Sequence, residues 1–109
     1  MRTELNINNF DGQILKDAGP IAVLFDAKWC PFCREFARIF ELLQRSRVPS
    51  AHVDLSDTSN PLWETFSVEI VPTVLIFNSG KVVRRYDGVA GQGLDATIIQ
   101  GIISNFEAH

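Results

Sequence analysis

Ile21-Ala22-Val23-Leu24-Phe25-Asp26-Ala27-Lys28-Trp29-Cys30-Pro31-Phe32-Cys33 contains both cysteines of the chain and the change of period that organises it. Its first half is nearly continuously apolar, the pattern of a strand buried on both faces, so a strand is expected over Ile21 to Asp26. After Cys30 the pattern changes. Phe32, Phe36, Ile39, Phe40 and Leu43 follow at spacings of four, three, one and three, one face of a 3.6-residue period. A helix from about Cys30 to Ser46 is expected, its aromatic stripe packed on the core. Phe32 is the exception, because it lies between the cysteines. Pro31 suits the first helical turn, where its missing N–H costs nothing. Cys30 then stands at the helix N-cap, beside unpaired N–H groups and the positive end of the dipole, and both favour a thiolate over a thiol. Cys33 lies one turn further in, where it can close a disulfide with Cys30.

Two cysteines so close together close too short a loop to add much stability through chain entropy. Nor are they the framework of a disulfide-rich mini-protein. The pair therefore requires a chemical role. Structural zinc needs four ligands, and the only other candidates are His52 and His109. His109 is the last residue and His52 sits in a strand pattern, so no metal site is expected, and no cofactor. Thiol–disulfide exchange remains. Cys30 as thiolate attacks a disulfide and forms a mixed disulfide; Cys33 attacks the Cys30 sulfur, releases the reduced substrate and leaves an internal disulfide. The reverse sequence oxidises a dithiol.

Outward from that segment, the 109 residues fit one domain spanning 1–109, with 46% apolar and 21% charged residues. A net charge of -3 and dispersed basic residues give no global attraction to nucleic acid or to an anionic membrane. No run approaches the ~20 apolar residues of a membrane helix. Met1 to Phe10 lacks the apolar stretch of a signal peptide, so a cytoplasmic location is the expectation.

Asn8 or Asn9 is expected to cap a short helix carrying Phe10, Ile14 and Leu15, stopped by Gly19-Pro20. Val48 to Leu55 reads as a strand, and Asn60-Pro61 opens a short helix with Leu62, Trp63 and Phe66. Thr73 to Phe77 and Val82 to Tyr86 flank Asn78-Ser79-Gly80 as an antiparallel hairpin. Gly88 to Gly93 is a loop, and Leu94 to Phe106 a last helix burying Ile98, Ile99, Ile102 and Ile103. The order αβαβαββα predicts an α/β fold, a mixed four- or five-stranded sheet with helices on both faces.

Over nearly its whole length the chain resembles the thioredoxin family. The residues that carry the resemblance are Val23-Leu24-Phe25 leading into Ala27-Lys28-Trp29-Cys30-Pro31-Phe32-Cys33, then Val71-Pro72-Thr73, Phe77-Asn78-Ser79-Gly80-Lys81, and Gly88. The resemblance implies the thioredoxin fold and a catalytic pair, Cys30 as nucleophile and Cys33 as resolving thiol. It implies a cis Pro72 facing that pair, with Val71 turned toward an extended substrate segment. Trp29, Pro31 and Phe32 would belong to the substrate surface, and Gly88 would let a substrate chain approach. The implied partners are protein disulfides and an electron donor, either an NADPH-dependent reductase or glutathione, acting on a monomer.

Three departures accompany the resemblance. Pro31-Phe32 is closer to the Pro-Tyr of glutaredoxins than to the Gly-Pro of thioredoxins, and Phe32 brings no proton donor to the thiolate. An intermediate redox potential is therefore expected. The family's buried aspartate, six residues before the first cysteine, is replaced by Leu24, and its lysine partner aligns with Ser50. Cys33 is thus expected to titrate without a coupled buried carboxylate, relying on water, on the Cys30 thiolate, or on Asp26 if it points inward. Arg38 stands where a kink proline is common, so a straighter helix is expected. Two other functions fit the pattern less well. One is a glutaredoxin-like, glutathione-dependent reductase. The other is a non-catalytic binding module, or an iron–sulfur carrier using Cys30.

Overall fold

The computed structural model describes residues 3–107. The stretch over Ile21–Asp26 is a strand, and Ala22, Val23, Leu24 and Phe25 are all completely buried. Burial on both faces is what its unbroken apolar run encodes. In chain order the strands are β1 (Thr3–Leu5), β2 (Phe10–Asp11), β3 (Ile14–Leu15), β4 (Ile21–Asp26), β5 (Ser50–Asp54), β6 (Thr73–Asn78) and β7 (Lys81–Tyr86). The helices are α1 (Pro31–Phe40), α2 (Leu42–Arg45), α3 (Leu62–Thr65) and α4 (Thr97–Glu107).

Five strands form the main sheet in the order β1-β5-β4-β6-β7. The β1–β5 and β4–β5 pairs are parallel, and β6 pairs antiparallel with both β4 and β7. This is the mixed five-stranded α/β architecture of the thioredoxin fold. On one face of the sheet, Val23, Phe25, Val53, Leu75 and Phe77 pack with Phe10, Leu62 and Phe66, and Cys30 and Cys33 join this cluster. On the other face, Ala22, Leu24, Val74 and Ile76 pack with Phe36 and Phe40 of α1, Leu43 of α2, and Ile99 and Ile102 of α4.

Two expectations give way. The helix expected around Phe10 to Leu15 is a 3-10 turn over Ile7–Asn9 followed by the two-stranded hairpin β2–β3. Asn6 supplies the cap, its Oδ1 accepting from the Asn8 N–H at 2.9 Å while Asn9 Oδ1 accepts from the Asn6 N–H at 2.9 Å. Gly12 at φ +57° makes the tight hairpin turn, which a helix interior would have penalised. Pairing Phe10 with Leu15 then sets both buried side chains on the core side.

The long helix is likewise not one straight rod. It divides at Glu41, where the Gln44 N–H bonds the Glu41 carbonyl three residues back, a 3-10 spacing that tightens the turn. Leu43 is fully buried beyond the break, while Leu42 is 43% exposed.

Candidate active site

Cys30 is the N-cap of α1, and Pro31 holds the first helical position. The cap sulfur accepts the Cys33 backbone N–H at 3.2 Å. The other side of the same sulfur meets β6's approach segment, where the Cys30 thiol donates to the Val71 carbonyl at 3.4 Å. The Val71–Pro72 peptide is cis. The cysteine pair stands out by its own spacing, Val71 and Pro72 only by the family resemblance, and the fold brings all four together. Both thiols are free and buried, 4% and 2% exposed. Among the described residues no group of three or more His, Cys, Asp or Glu could hold a metal ion.

Burial pushes the Cys33 thiol far above its ordinary range, helped by its hydrogen bond with Cys30 and by the negative charges of Cys30 and Asp26. A backbone hydrogen bond at Ala27 works in the opposite direction. Geometry and charge thus divide the labour between the two sulfurs. Cys30 has a donor aimed at it, and Cys33 stays protonated until something takes its proton.

Gly88 is a close-approach glycine. A Cβ placed there would come within 2.3 Å of the Pro72 carbonyl oxygen and 3.1 Å of Ile70 Cγ2. Its N–H donates to Thr73 Oγ1 at 3.2 Å, and the Thr73 hydroxyl donates to the Ile70 carbonyl at 2.6 Å. What Gly88 approaches in the structure is the chain's own Ile70–Thr73 backbone. Gly93 was not singled out by the sequence, but its missing side chain makes room for Phe32, whose Cβ lies 2.8 Å from where a glycine-93 Cβ would sit. The 88–93 loop, closed by paired hydrogen bonds between Val89 and Gly93, is thereby packed against the dipeptide between the cysteines.

Trp29 is 56% exposed and Phe32 39% exposed, so both present apolar surface beside buried Cys30. Trp29 does not stand alone. It stacks on Trp63 with ring centroids 6.3 Å apart and planes 5° from parallel, and its Nε1–H donates to the Ser56 carbonyl at 2.9 Å. Ser56 Oγ accepts the Lys28 N–H at 2.7 Å and donates to Asp54, which closes the frame. The link of Trp29 to Trp63 and Ser56 escaped sequence reasoning because both lie more than 25 residues along the chain from Trp29, with no local spacing to connect them.

Burial opposes ionisation of Asp54, yet the hydrogen bonds from Ser56 and the charges of Lys28 and His52 hold its carboxyl below the usual aspartate value. A carboxyl depressed in the folded state adds stability above the ordinary value of about 3.9, and that stability is lost as pH falls through the lower folded value. Asp54→Asn is therefore expected to lower stability at neutral pH by less than about 1 kcal/mol, since the side chain is partly solvated. Urea unfolding should show the difference beginning to shrink near the ordinary value of about 3.9 and vanishing only below the depressed folded-state value.

The buried-acid expectation needs correction at two places. Ser50 faces Ala22 across the β4–β5 pair, and the residue opposite Leu24 is His52. Cys33 also has a carboxylate near enough to act on it through charge, since Asp26 turns into the recess that Cys33 lines.

A protein-family model described as Thioredoxin matches residues 2–100. The chain is 35% identical to Thioredoxin H4 of Arabidopsis thaliana over 83 residues, covering 73% of this chain and 69% of that one. It is 34% identical over 107 residues to the protein disulfide-isomerase erp38 of Neurospora crassa, covering 93% of this chain but 27% of the isomerase. A bifunctional thioredoxin reductase/thioredoxin of Mycobacterium leprae is 28% identical over 105 residues, of which this chain spans 23%. The chain thus spans only about a quarter of the length of these last two relatives.

Proposed function

We propose that this chain, which belongs to the thioredoxin family, is a thiol–disulfide oxidoreductase that reduces protein disulfides as one domain. Cys30 is its nucleophile and Cys33 its resolving thiol. The observation that carries this reading is the Cys30 sulfur at the start of α1, accepting the Cys33 N–H at 3.2 Å with the second thiol one turn away. A helix N-terminus favours the thiolate at that point, and the thiolate is the attacking species.

In the first step the Cys30 thiolate forms an S–S bond with one substrate sulfur, and the other leaves as a thiolate. In the second, Cys33 attacks the Cys30 sulfur, expels the remaining substrate sulfur and closes the Cys30–Cys33 disulfide. Trp29, Pro31 and Phe32 form the apolar collar around the attacked disulfide, and the cis Val71–Pro72 segment lies on the other side of Cys30. Val71 is the residue proposed to pair with an extended substrate strand, as sheet edges do with peptides. Gly88 contributes by keeping that segment in place.

An NADPH-dependent reductase is the proposed electron donor, supported by the joining of a reductase and a thioredoxin in one relative's name. The cytoplasm and a monomeric state complete the proposal. A reducing compartment suits a chain whose two cysteines are reagents rather than staples.

Insulin disulfide reduction tests the activity, run once with an NADPH-coupled reductase and once with glutathione as donor. Equilibration of the Cys30–Cys33 pair against a glutathione buffer measures the potential alongside. Phe32 has no proton donor to offer the Cys30 thiolate, so a value is expected between the reducing extreme of about -270 mV and the oxidising extreme of about -120 mV. A value at the oxidising extreme would contradict the role given to Phe32. Absence of both insulin reduction and an internal disulfide would overturn the function.

A further inference from the structure

Residues 69–72 bring Val71 to the side of Cys30, yet they do little to hold themselves there. Among the described residues, no backbone–backbone hydrogen bond reaches any of the four. Two side chains bond their carbonyls, the Thr73 hydroxyl at Ile70 and the Cys30 thiol at Val71. Backbone groups are thus left open where a substrate strand would pair. The position of the segment is set by what grips its two ends.

The downstream end is gripped by the sheet. Thr73 opens β6 and faces Phe25 of β4, and its hydroxyl accepts the Gly88 N–H. Upstream, the Ser67 and Val68 N–H groups donate to the Glu64 and Trp63 carbonyls, which ties that end only to the short helix α3. Arg85 makes the hydrogen-bonded link from there to the main sheet. Register on β7 sets it opposite Leu75, on the sheet face that packs with Cys30 and Cys33. Its Nη1 donates to the Phe66 carbonyl at 3.0 Å and its Nη2 to the Ser67 carbonyl at 3.4 Å. Nε and Nη2 also donate to the Asp87 carboxylate, at 3.0 and 2.8 Å.

One planar guanidinium therefore joins the end of α3 to the residue before Gly88, the glycine packed on the Pro72 carbonyl. The turn it grips is unfavourable by itself, because Ser67 stands at φ +52°, a left-handed conformation that a residue with a side chain rarely adopts. The space it spans is an open recess of about 340 Å³, lined by Ser67, Glu69, Ile70, Asp87 and Gly88 beside Arg85 itself. Phe66 and Val68 are buried, but apolar burial is non-directional. The rigid fork of the guanidinium fixes where the two carbonyls lie.

We infer that Arg85 is a positioning residue that sets a preference for disulfides carried in an extended polypeptide over small ones, by clamping the upstream end of residues 69–72 so that Val71 stands ready to pair. The inference rests on the readings of Cys30 as nucleophile and Val71 as the strand-pairing residue. A held segment has its ordering cost met before the substrate arrives, and a loose one does not. A small disulfide pairs with no strand, so it gains nothing from the clamp.

The test compares three disulfides, each with hydroxyethyl as one half. The first carries a short extended peptide through its cysteine. The second carries the same peptide N-methylated at the amides flanking that cysteine, which removes strand-pairing donors. The third is bis(2-hydroxyethyl) disulfide, which has no peptide group. Each is mixed with the reduced protein well below its melting temperature, and loss of free thiol gives the second-order rate constant. Freeing the backbone of one residue is worth about tenfold in binding. Arg85→Gln should therefore lower the constant for the plain peptide about tenfold and leave that for the hydroxyethyl disulfide within about twofold. The advantage of the plain peptide over its methylated twin should collapse. Arg85→Lys keeps the charge but not the planar fork, and should stay close to the glutamine variant.

An unchanged constant for the plain peptide overturns the inference. So does an equal fall for all three disulfides, which would show a site distorted as a whole. A lysine variant equal to the parent overturns it too, by showing that charge rather than clamping is felt. Should Arg85→Gln fail to fold, Asp87→Asn frees one side of the guanidinium and should move the same ratio by a smaller factor; no movement there overturns the inference equally. If the unsubstituted protein reduces both peptides alike, the reading of Val71 fails and the inference with it. If it reduces none of the three, the reading of Cys30 and Cys33 fails, which is distinct from a normal peptide preference that ignores Arg85.

Discussion

Cys30→Ser is expected to lose disulfide reduction by at least about a thousandfold, the scale on which loss of a nucleophile is felt. Cys33→Ser should instead keep the first step and stop at the second. The asymmetry follows from the position of the two sulfurs. Cys30 caps α1 and receives the Cys33 N–H at 3.2 Å, so a negative sulfur is met by a donor there. A serine hydroxyl can take the same cap but remains protonated and a poor nucleophile at neutral pH. Cys33 is pushed the other way, up from its ordinary range by burial and by its neighbours, so it cannot substitute for Cys30 as the attacking group. With Cys33→Ser, the mixed disulfide at Cys30 has no internal thiol to release it. It should accumulate on a disulfide substrate and be visible as a covalent adduct on a non-reducing gel. Equal loss in the two variants, with no adduct in Cys33→Ser, would show that the roles are not divided as the geometry indicates.

How much of this was legible beforehand depended on whether the signal was local. The strand Ile21–Asp26, the cap at Cys30 and the proline at the first helical position are set within a dozen consecutive residues, and all three stand in the structure. The hairpin at Asn78 to Lys81 is equally local, and Asn78 does pair with Lys81. The N-terminal region failed because its apolar residues fit two periods. Phe10, Ile14 and Leu15 suit a helix face, but they also suit a tight hairpin in which Phe10 and Leu15 pair. Gly12 between them was the residue that should have decided the matter.

The chemistry behind Cys33 was missed for a different reason. The resemblance sets Leu24 where the family has its acid, but which residue stands opposite Leu24 depends on the β4–β5 register, which no spacing within one strand reveals. The register brings His52, and β1 adds Glu4, from a strand that sequence reading had not assigned. The Trp29–Trp63 stack is hidden in the same way, since the two rings meet only after β5 returns alongside β4.

Gly88→Ala carries the second large effect, on stability and activity together. The Cβ would sit 2.3 Å from the Pro72 carbonyl oxygen, well inside van der Waals contact, and the obstacle is backbone rather than the end of a flexible side chain. Something in the main chain must move. If Gly88 retreats, its N–H leaves Thr73 Oγ1, the hydroxyl that also donates to the Ile70 carbonyl. If Pro72 retreats, the adjoining Val71 carbonyl shifts from its 3.4 Å contact with the Cys30 sulfur. Overpacking of this kind typically costs 1–3 kcal/mol, and with a lost buried hydrogen bond about 3 kcal/mol is expected. For a domain of this size that lowers the melting temperature by roughly 10–20 °C. Gly19→Ala is the control, because its Cβ would meet only the Asp17 side chain, at 3.5 Å. It should stay within about 0.5 kcal/mol of the parent, as surface substitutions do. Insulin reduction by the folded Gly88→Ala protein, assayed well below its melting point, should fall because the Pro72 side of the site has moved. Unchanged melting would mean that the 88–93 loop is free to lift from the sheet. Lower melting with full activity would separate the packing role of Gly88 from the chemistry at Cys30.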